Sequence, residues 1–211
     1  MSSSGLTPSL LPGLSGHRDN AARAWLAALG CSETEVDAVL ESGVRFEPNT
    51  LKQVFAGVMR LGRAAGRLGE TMELLGRQEA AFRHLREEIG IARAAPPQTL
   101  MPAAVLVRNG DGWWLPGGWI PDVLDRAAGR DVMQISGAEP RPLVSWPRTV
   151  SPRFLFVLTS SPLPEDLPAV PAACSIETAD PSCWLSPGPG LVHAVFEAAS
   201  CMHGSTAVFS S

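Results

Sequence analysis

The side chains best suited to chemistry in this sequence are indoles and thiols. Trp113, Trp114 and Trp119 crowd around a Gly117-Gly118 pair. Indoles exposed in a cleft can stack on a base or another aromatic ligand, whereas buried ones fill a core and find a partner for the ring N–H. Alternation along a strand sends Trp113 and Trp114 to opposite faces, so only one of them can be inside. Toward the C-terminus, Cys174, Cys183, His193, Cys201 and His203 are of zinc-binding types. Their loose spacing and the lack of a C-x-x-C pair favour buried thiols and incidental histidines instead. Cys183 with His203 has the makings of a cysteine nucleophile and its base, but the two lie close in sequence and the same plain reading prevails. No G-x-S-x-G, P-loop or H-E-x-x-H motif occurs.

Residues 103–120, AAVLVRNGDGWWLPGGWI, resemble the Nudix hydrolase superfamily, whose members enter their catalytic helix through a strand and a Leu-Pro-Gly-Gly turn. Farther on, Arg153–Thr159, Glu177, Trp184-Leu185-Ser186-Pro187 and a helix from Leu191 follow in that family's order. The resemblance spans about 103–200 and implies a mixed α/β Nudix-like fold. Within it the glycines turn the backbone sharply beside a diphosphate, which marks Gly117, Gly118, Trp119, Arg130 and Asp131 as ligand-binding residues for a nucleotide-like small molecule. The family's catalytic helix carries adjacent carboxylates that hold Mg²⁺. The corresponding stretch here is Arg130–Ala138, with Gln134 and Ile135 where the carboxylates belong. The implied domain is therefore degenerate and non-hydrolytic, serving binding or scaffolding without a cofactor. A second match, Arg83–Ile91, keeps the pair as Glu87 and Glu88. It precedes the Gly-Gly turn, where the family's box follows it. If that box were the working one, Arg83, Glu87 and Glu88 would be catalytic, the two glutamates would bind Mg²⁺, and the chain would hydrolyse nucleoside-diphosphate-type substrates. Otherwise they form a solvated helical face.

The elements that would position these groups divide the chain in two, giving an α+β class. Residues 1–17 read as a flexible arm, 18–95 as a helical region, 98–203 as the Nudix-like domain and 204–211 as a tail, with Pro96-Pro97 at the boundary. Ala22, Trp25, Leu26 and Leu29 share one face of a first helix capped by Gly30. Ser32 and Glu35 form a capping box ahead of Val36, Val39 and Leu40, and Gly43 closes that second helix. From residue 51 the apolar residues recur at alternating spacings of four and three. This predicts a long, coiled-coil-like helix over 51–90 whose seam, Val54, Val58, Leu61, Leu68, Met72, Leu75 and Phe82, mediates oligomerisation. The alternative is packing on the chain's own first helices. Gly57, Gly62, Gly66, Gly69 and Gly76 argue against a rigid rod, and imply either close backbone approach at Gly62 and Gly66 or a break near Gly69. Beyond the boundary the expected elements are a hairpin of 103–107 and 113–115, a helix over 122–134, a strand over 153–159, a loop over 160–190 with a short strand at 183–185, and a helix over 191–203.

Composition narrows the classes further. A formal net charge of −4 and the lack of any Lys/Arg cluster exclude the footprint of a specific nucleic-acid binder. Residues 1–16 have neither a basic n-region nor an apolar run long enough for a signal peptide or membrane span, so a cytoplasmic protein is expected. Four cysteines in 211 residues are too few for a disulfide scaffold. The functional expectation is an oligomeric, Nudix-like, non-catalytic protein with a homo-oligomeric or other protein partner. A structural or assembly protein, viral or otherwise, oligomerising through 51–90 is the alternative.

Overall fold

The computed structural model describes residues 14–90, 100–109, 112–159, 162–171 and 173–204. Helix α1 (Leu14–Ala28) places Ala22, Trp25 and Leu26 inward, and α2 (Glu33–Glu41) begins with the expected capping box. There the Ser32 hydroxyl accepts from Glu35 N, while Glu35 Oε2 accepts from Ser32 N at 2.7 Å. These bonds satisfy donors that the first turn of a helix cannot.

The long helix predicted over 51–90 is two helices, α3 (Leu51–Ala64) and α4 (Leu68–Glu88). Gly66 takes φ +69°, a left-handed conformation that ends α3, and Arg67 N reaches back to Gly62 O at 2.7 Å. The chain then doubles back on itself so closely that a Cβ at Gly62 would lie 1.8 Å from Thr71 Oγ1. The heptad seam is accordingly no coiled coil. Val54, Val58 and Leu61 on α3 and Phe82 on α4 enter the chain's own core, Leu75 is half-buried, and Leu68 and Met72 are exposed. A spacing of three and four fits any helix with one buried stripe, and here the stripe changes direction at the glycine.

After α4 comes a six-stranded sheet ordered β4-β2-β1-β5-β6, with β3 also pairing β1. The expected hairpin is present as β1 (Met101–Asn109) and β2 (Gly112–Leu115), antiparallel with Val107 opposite Trp114. A short helix, α5 (Ile120–Arg126), leads to β3 (Gly129–Asp131), which runs parallel to the start of β1. Strands β2 and β3 thus meet end to end along one edge of β1. The single helix expected over 122–134 is replaced by this helix-strand step, because Ala128 at φ +56° stops α5 and the chain re-enters the sheet.

Past β4 (Arg141–Pro142), strand β5 (Phe154–Leu158) pairs parallel with β1 on its other edge. β6 (Ser175–Ala179) extends the parallel set. It falls inside the stretch expected to be loop. Residues 183–185, expected as a strand, belong to the helical turn α6 (Pro181–Leu185), which Asp180 caps through Ser182 N. Helix α7 (Leu191–His203) completes the chain as expected.

Helices before and after the 91–99 segment share one core. Ala103, Val105, Val107, Phe156 and Leu158 project from one sheet face into a cluster with Trp25, Leu26, Val54, Leu61, Phe82, Val123, Val195 and Trp184. Polar clasps reinforce it. Trp25 Nε1 donates to Pro187 O at 2.7 Å, and Arg126 makes two bonds to the Glu79 carboxylate at 2.9 and 3.0 Å while lying 5.5 Å from the Phe82 ring centroid. The opposite sheet face carries Ala104, Leu106, Leu155 and Val157 and is covered by irregular chain through Leu143, Trp146, Val150, Leu167 and Val170. Among the described residues no helix is long and apolar enough to cross a membrane. The Pro96-Pro97 boundary lies outside the described residues.

Candidate functional site

The Gly117-Gly118 turn lies where β2 gives way to α5, just beyond the point at which β2 leaves β1. Both glycines sit at positive φ, +62° and +60°, which L side chains rarely adopt. Gly118 N donates to Ala138 O at 2.7 Å, and Gly137 N returns a bond to Gly118 O at 2.8 Å. The loop 137–140 is thereby hung on the turn. A Cβ at Gly117 would come within 2.3 Å of Ala138 O, so this close approach requires glycine.

Two further elements close around the turn. Asp122 Oδ2 accepts from Leu51 N at 2.7 Å, fastening the start of α3 to α5 and bringing Asn49 alongside. On another side, Trp119 Nε1 donates to Trp184 O at 2.9 Å, which sets Leu185 at the end of α6 against the same recess. The resulting pocket has Pro116–Ile120 as its base, Ala138–Pro140 as one wall, and Asn49 and Leu185 as the others. Its water-accessible volume is about 30 Å³, room for roughly two water molecules. Among the described residues the lining is mostly apolar and carries one ionisable side chain, Glu139.

Of the predicted ligand residues, Gly117, Gly118 and Trp119 line this pocket, whereas Arg130 and Asp131 do not. Arg130 is exposed on β3. Asp131 turns the chain after β3: its Oδ1 accepts from Met133 N at 2.8 Å and Gln134 N at 3.0 Å. Burial pushes its carboxyl up to about 6, against the opposing pull of those two N–H groups and of Arg141. The guanidinium of Arg141 donates in turn to Met133 O at 3.0 Å. Asp131 therefore shapes the loop that supplies the pocket wall.

Arg83, Glu87 and Glu88 are exposed on α4, and none lines the pocket. Among the described residues no group of three or more His, Cys, Asp or Glu is arranged to hold a metal ion. The four cysteines are free and half-buried, and burial raises each thiol pKa, the reverse of what a nucleophilic thiolate needs. His203 Nε2 lies 3.1 Å from Ala127 O, and burial lowers its pKa.

The indoles serve chiefly as fasteners. Trp113 and Trp119 are buried, with Trp113 Nε1 donating to Asp166 O at 3.0 Å, and Trp184 is enclosed with its N–H on Glu197 Oε2 at 2.6 Å. Trp114 is half-buried. Asn49, Ala138, Glu139, Pro140 and Leu185 were not foreseen at the site. The turn at 46–49 and the Trp-Leu-x-Pro motif were noticed, but nothing in their types tells that they converge on Gly118.

No known family profile matches the chain, and neither does any curated protein. Ten solved chains match in structure. A substrate-binding protein of an ABC transporter from Listeria monocytogenes superposes with a TM-score of 0.60 at 12% identity, over 82% of this chain and 75% of that one. IsdE of S. aureus, solved with heme, gives 0.59 at 10% identity over 74% and 66%. A periplasmic binding protein from Veillonella parvula gives 0.56 at 14% identity over 75% and 58%. At such identities the likeness shows the fold. The chain spans less than two thirds of the length of these last two proteins.

These matches overturn the Nudix resemblance, and with it the Nudix-like fold. The helix after the Gly-Gly turn is α5, IPDVLDR, and 130–138 is a strand end and loop in place of a catalytic helix. The expected oligomeric scaffold, the assembly protein built on a coiled coil and the diphosphate hydrolase fall for the same reasons. The cytoplasmic expectation is also withdrawn, because the matching structures are of periplasmic and transporter-associated binding proteins.

Proposed function

We propose that the chain is a solute-capturing lobe of the kind used by extracytoplasmic substrate-binding proteins, with the Gly117-Gly118 pocket as part of its ligand cleft. The observation that carries this reading is the pocket itself. Four segments distant in sequence, around 49, 116–120, 138–140 and 185, converge on one apolar recess with few polar groups, which is the usual composition of a small-molecule site. The α/β scaffold that it shares with binding proteins supports the same assignment. Fold likeness alone does not license a function, so the pocket bears the weight.

A recess of about 30 Å³ encloses only the edge of a solute. A second surface must face it, as in binding proteins whose two domains close around the ligand. Gly117, Gly118 and Trp119 contact the solute in this reading, Asn49 orients it, and no cofactor is invoked.

Thermal unfolding of the full chain against a panel of small metabolites and haemin tests the assignment. A solute present at about a hundred times its Kd stabilises by roughly 2.7 kcal/mol, a rise of roughly 5–10 °C for a chain of this size. Leu185→Trp, which fills the recess, is expected to abolish that rise. Rises that persist in Leu185→Trp, or none with any solute, would overturn the reading.

A further inference from the structure

Resting on the solute-capture reading, we infer that Glu197, a residue of α7 that does not line the recess, is the positioning residue for the side formed by Leu185 and Trp119. The segment 184–187, which carries Leu185, is gripped by three indole N–H bonds. Trp25 Nε1 donates to Pro187 O at 2.7 Å and Trp119 Nε1 to Trp184 O at 2.9 Å, so two of them hold backbone. In the third the Trp184 ring itself is held, its Nε1 donating to Glu197 Oε2 at 2.6 Å. A bond to a carboxylate is shorter and roughly twice as strong as one to a neutral acceptor.

Helix α6 has little else to fix it. It is five residues long, and Trp184 is its one buried residue. That ring is fully enclosed, 5.1 Å from Phe156, and an indole N–H in such surroundings needs an acceptor. Glu197 supplies it from a helix that is itself held in place. Ala194, Val195, Ala198 and Ala199 of α7 are buried around it. Farther along, Met202 packs on Gly129 and His203 Nε2 lies 3.1 Å from Ala127 O. The carboxylate is thus a fixed point to which the Trp184 ring is referred. Trp184 O receives the Trp119 N–H and Leu185 is the next residue, so a shift of the ring moves both together. The other walls are held independently of this relay, Asn49 through the bond between Asp122 and Leu51 N, and Ala138 through Gly118.

Assigned nitrogen–proton NMR spectra of the full chain test the relay. Glu197→Ala is expected to displace the Trp184 and Trp119 indole signals and the Leu185 amide, leaving the amides of Gly137 and Ala138 in place. Glu197→Gln, whose amide oxygen accepts the same bond, should restore the original positions. Glu197→Asp keeps the charge but ends one methylene short of the ring, and should give the displacement in a folded chain even where Glu197→Ala does not fold. Ser32→Ala, a loss of stability confined to α2, should move none of these signals. Isopropanol, small enough for the recess, is titrated into the same samples and followed at the Gly117 and Gly118 amides. Its saturable binding should weaken about fivefold or more in Glu197→Ala and recover in Glu197→Gln. Displacement confined to the Trp184 indole, displacement that spreads equally to Gly137 and Ala138, or failure of Glu197→Gln to restore the signals would overturn the positioning role. Isopropanol that leaves Gly117 and Gly118 of the unaltered chain unmoved would overturn the solute-capture reading instead, with the indole signals still deciding the relay.

Discussion

The two faces of the sheet are equally apolar and differently covered. Neighbouring residues of β5 make the contrast plain, since Leu155 and Val157 point one way, Phe156 and Leu158 the other, and all four are fully or almost fully buried. One face lies under helices. The other lies under connecting segments, with Trp146 held by a bond from its Nε1 to Val150 O at 2.8 Å and Trp113 by one to Asp166 O. Parallel strands require both faces covered, but not by the same kind of element. The pocket forms on neither face. It sits where β2 ends and the loop cover is hooked onto the turn.

The most direct way to break this contrast is to delete the same side chain from each face. Leu158→Ala, under the helices, is expected to cost about 4 kcal/mol, and Leu155→Ala about 2–3 kcal/mol because loops relax into the space left behind. Urea midpoints of the two variants check this, and equal losses would mean that the loop cover is as rigid as the helices. Asp131 offers the next effect, on the loop side. Its folded pKa of about 6 lies above the ordinary 3.8. The folded state thus holds the proton more tightly, and this group's stabilising contribution is present below about 3.8 and lost as pH rises to about 6. Asp131→Asn keeps the acceptor for Met133 N and Gln134 N while removing the charge. Relative to the unaltered chain, it is expected to gain on the order of 2 kcal/mol at pH 7 and little at pH 4. A constant difference across that range would exclude Asp131 as the titrating group. The smallest effect belongs to the helical side, where Ser32→Ala removes half of the capping box and should cost about 1 kcal/mol. Amide exchange confined to the first turn of α2 would localise the loss.

The helical face was the legible one. A buried stripe, a capping box or a left-handed glycine is written within a few residues, so α2, α7 and the β1–β2 hairpin could be read directly. The bend at Gly66 was harder, because Leu68 and Met72 continue the apolar spacing and are nevertheless exposed. The register of α4 depends on a contact between Gly62 and Thr71 that exists only once the bend has formed. β3 and β6 were missed for a different reason. Both are short, and their only support is pairing with a distant strand.

The Nudix resemblance failed instructively. Leu-Pro-Gly-Gly records a local need, two left-handed residues between a strand and a helix, and unrelated folds meet that need with the same letters. Trp184-Leu185-Ser186-Pro187 likewise has a structural explanation: the Trp184 ring packs 5.1 Å from Phe156, and Pro187 O accepts the Trp25 N–H. Gly117, Gly118 and Trp119 line the pocket, although the family that singled them out does not apply. Their pocket partners came from segments whose proximity no spacing encodes.

The pair of hydrogen bonds between Gly118 and the 137–138 backbone has a kinetic consequence. The β1–β2 hairpin can form from local contacts, but the wall of the recess arrives only after α5 and β3 have been laid down and the following loop has swung back. The recess is therefore complete only once these contacts between sequence-distant segments have formed. A collapsed chain with its hairpin and helices in place would still lack this wall, which closes the recess only when the two bonds form.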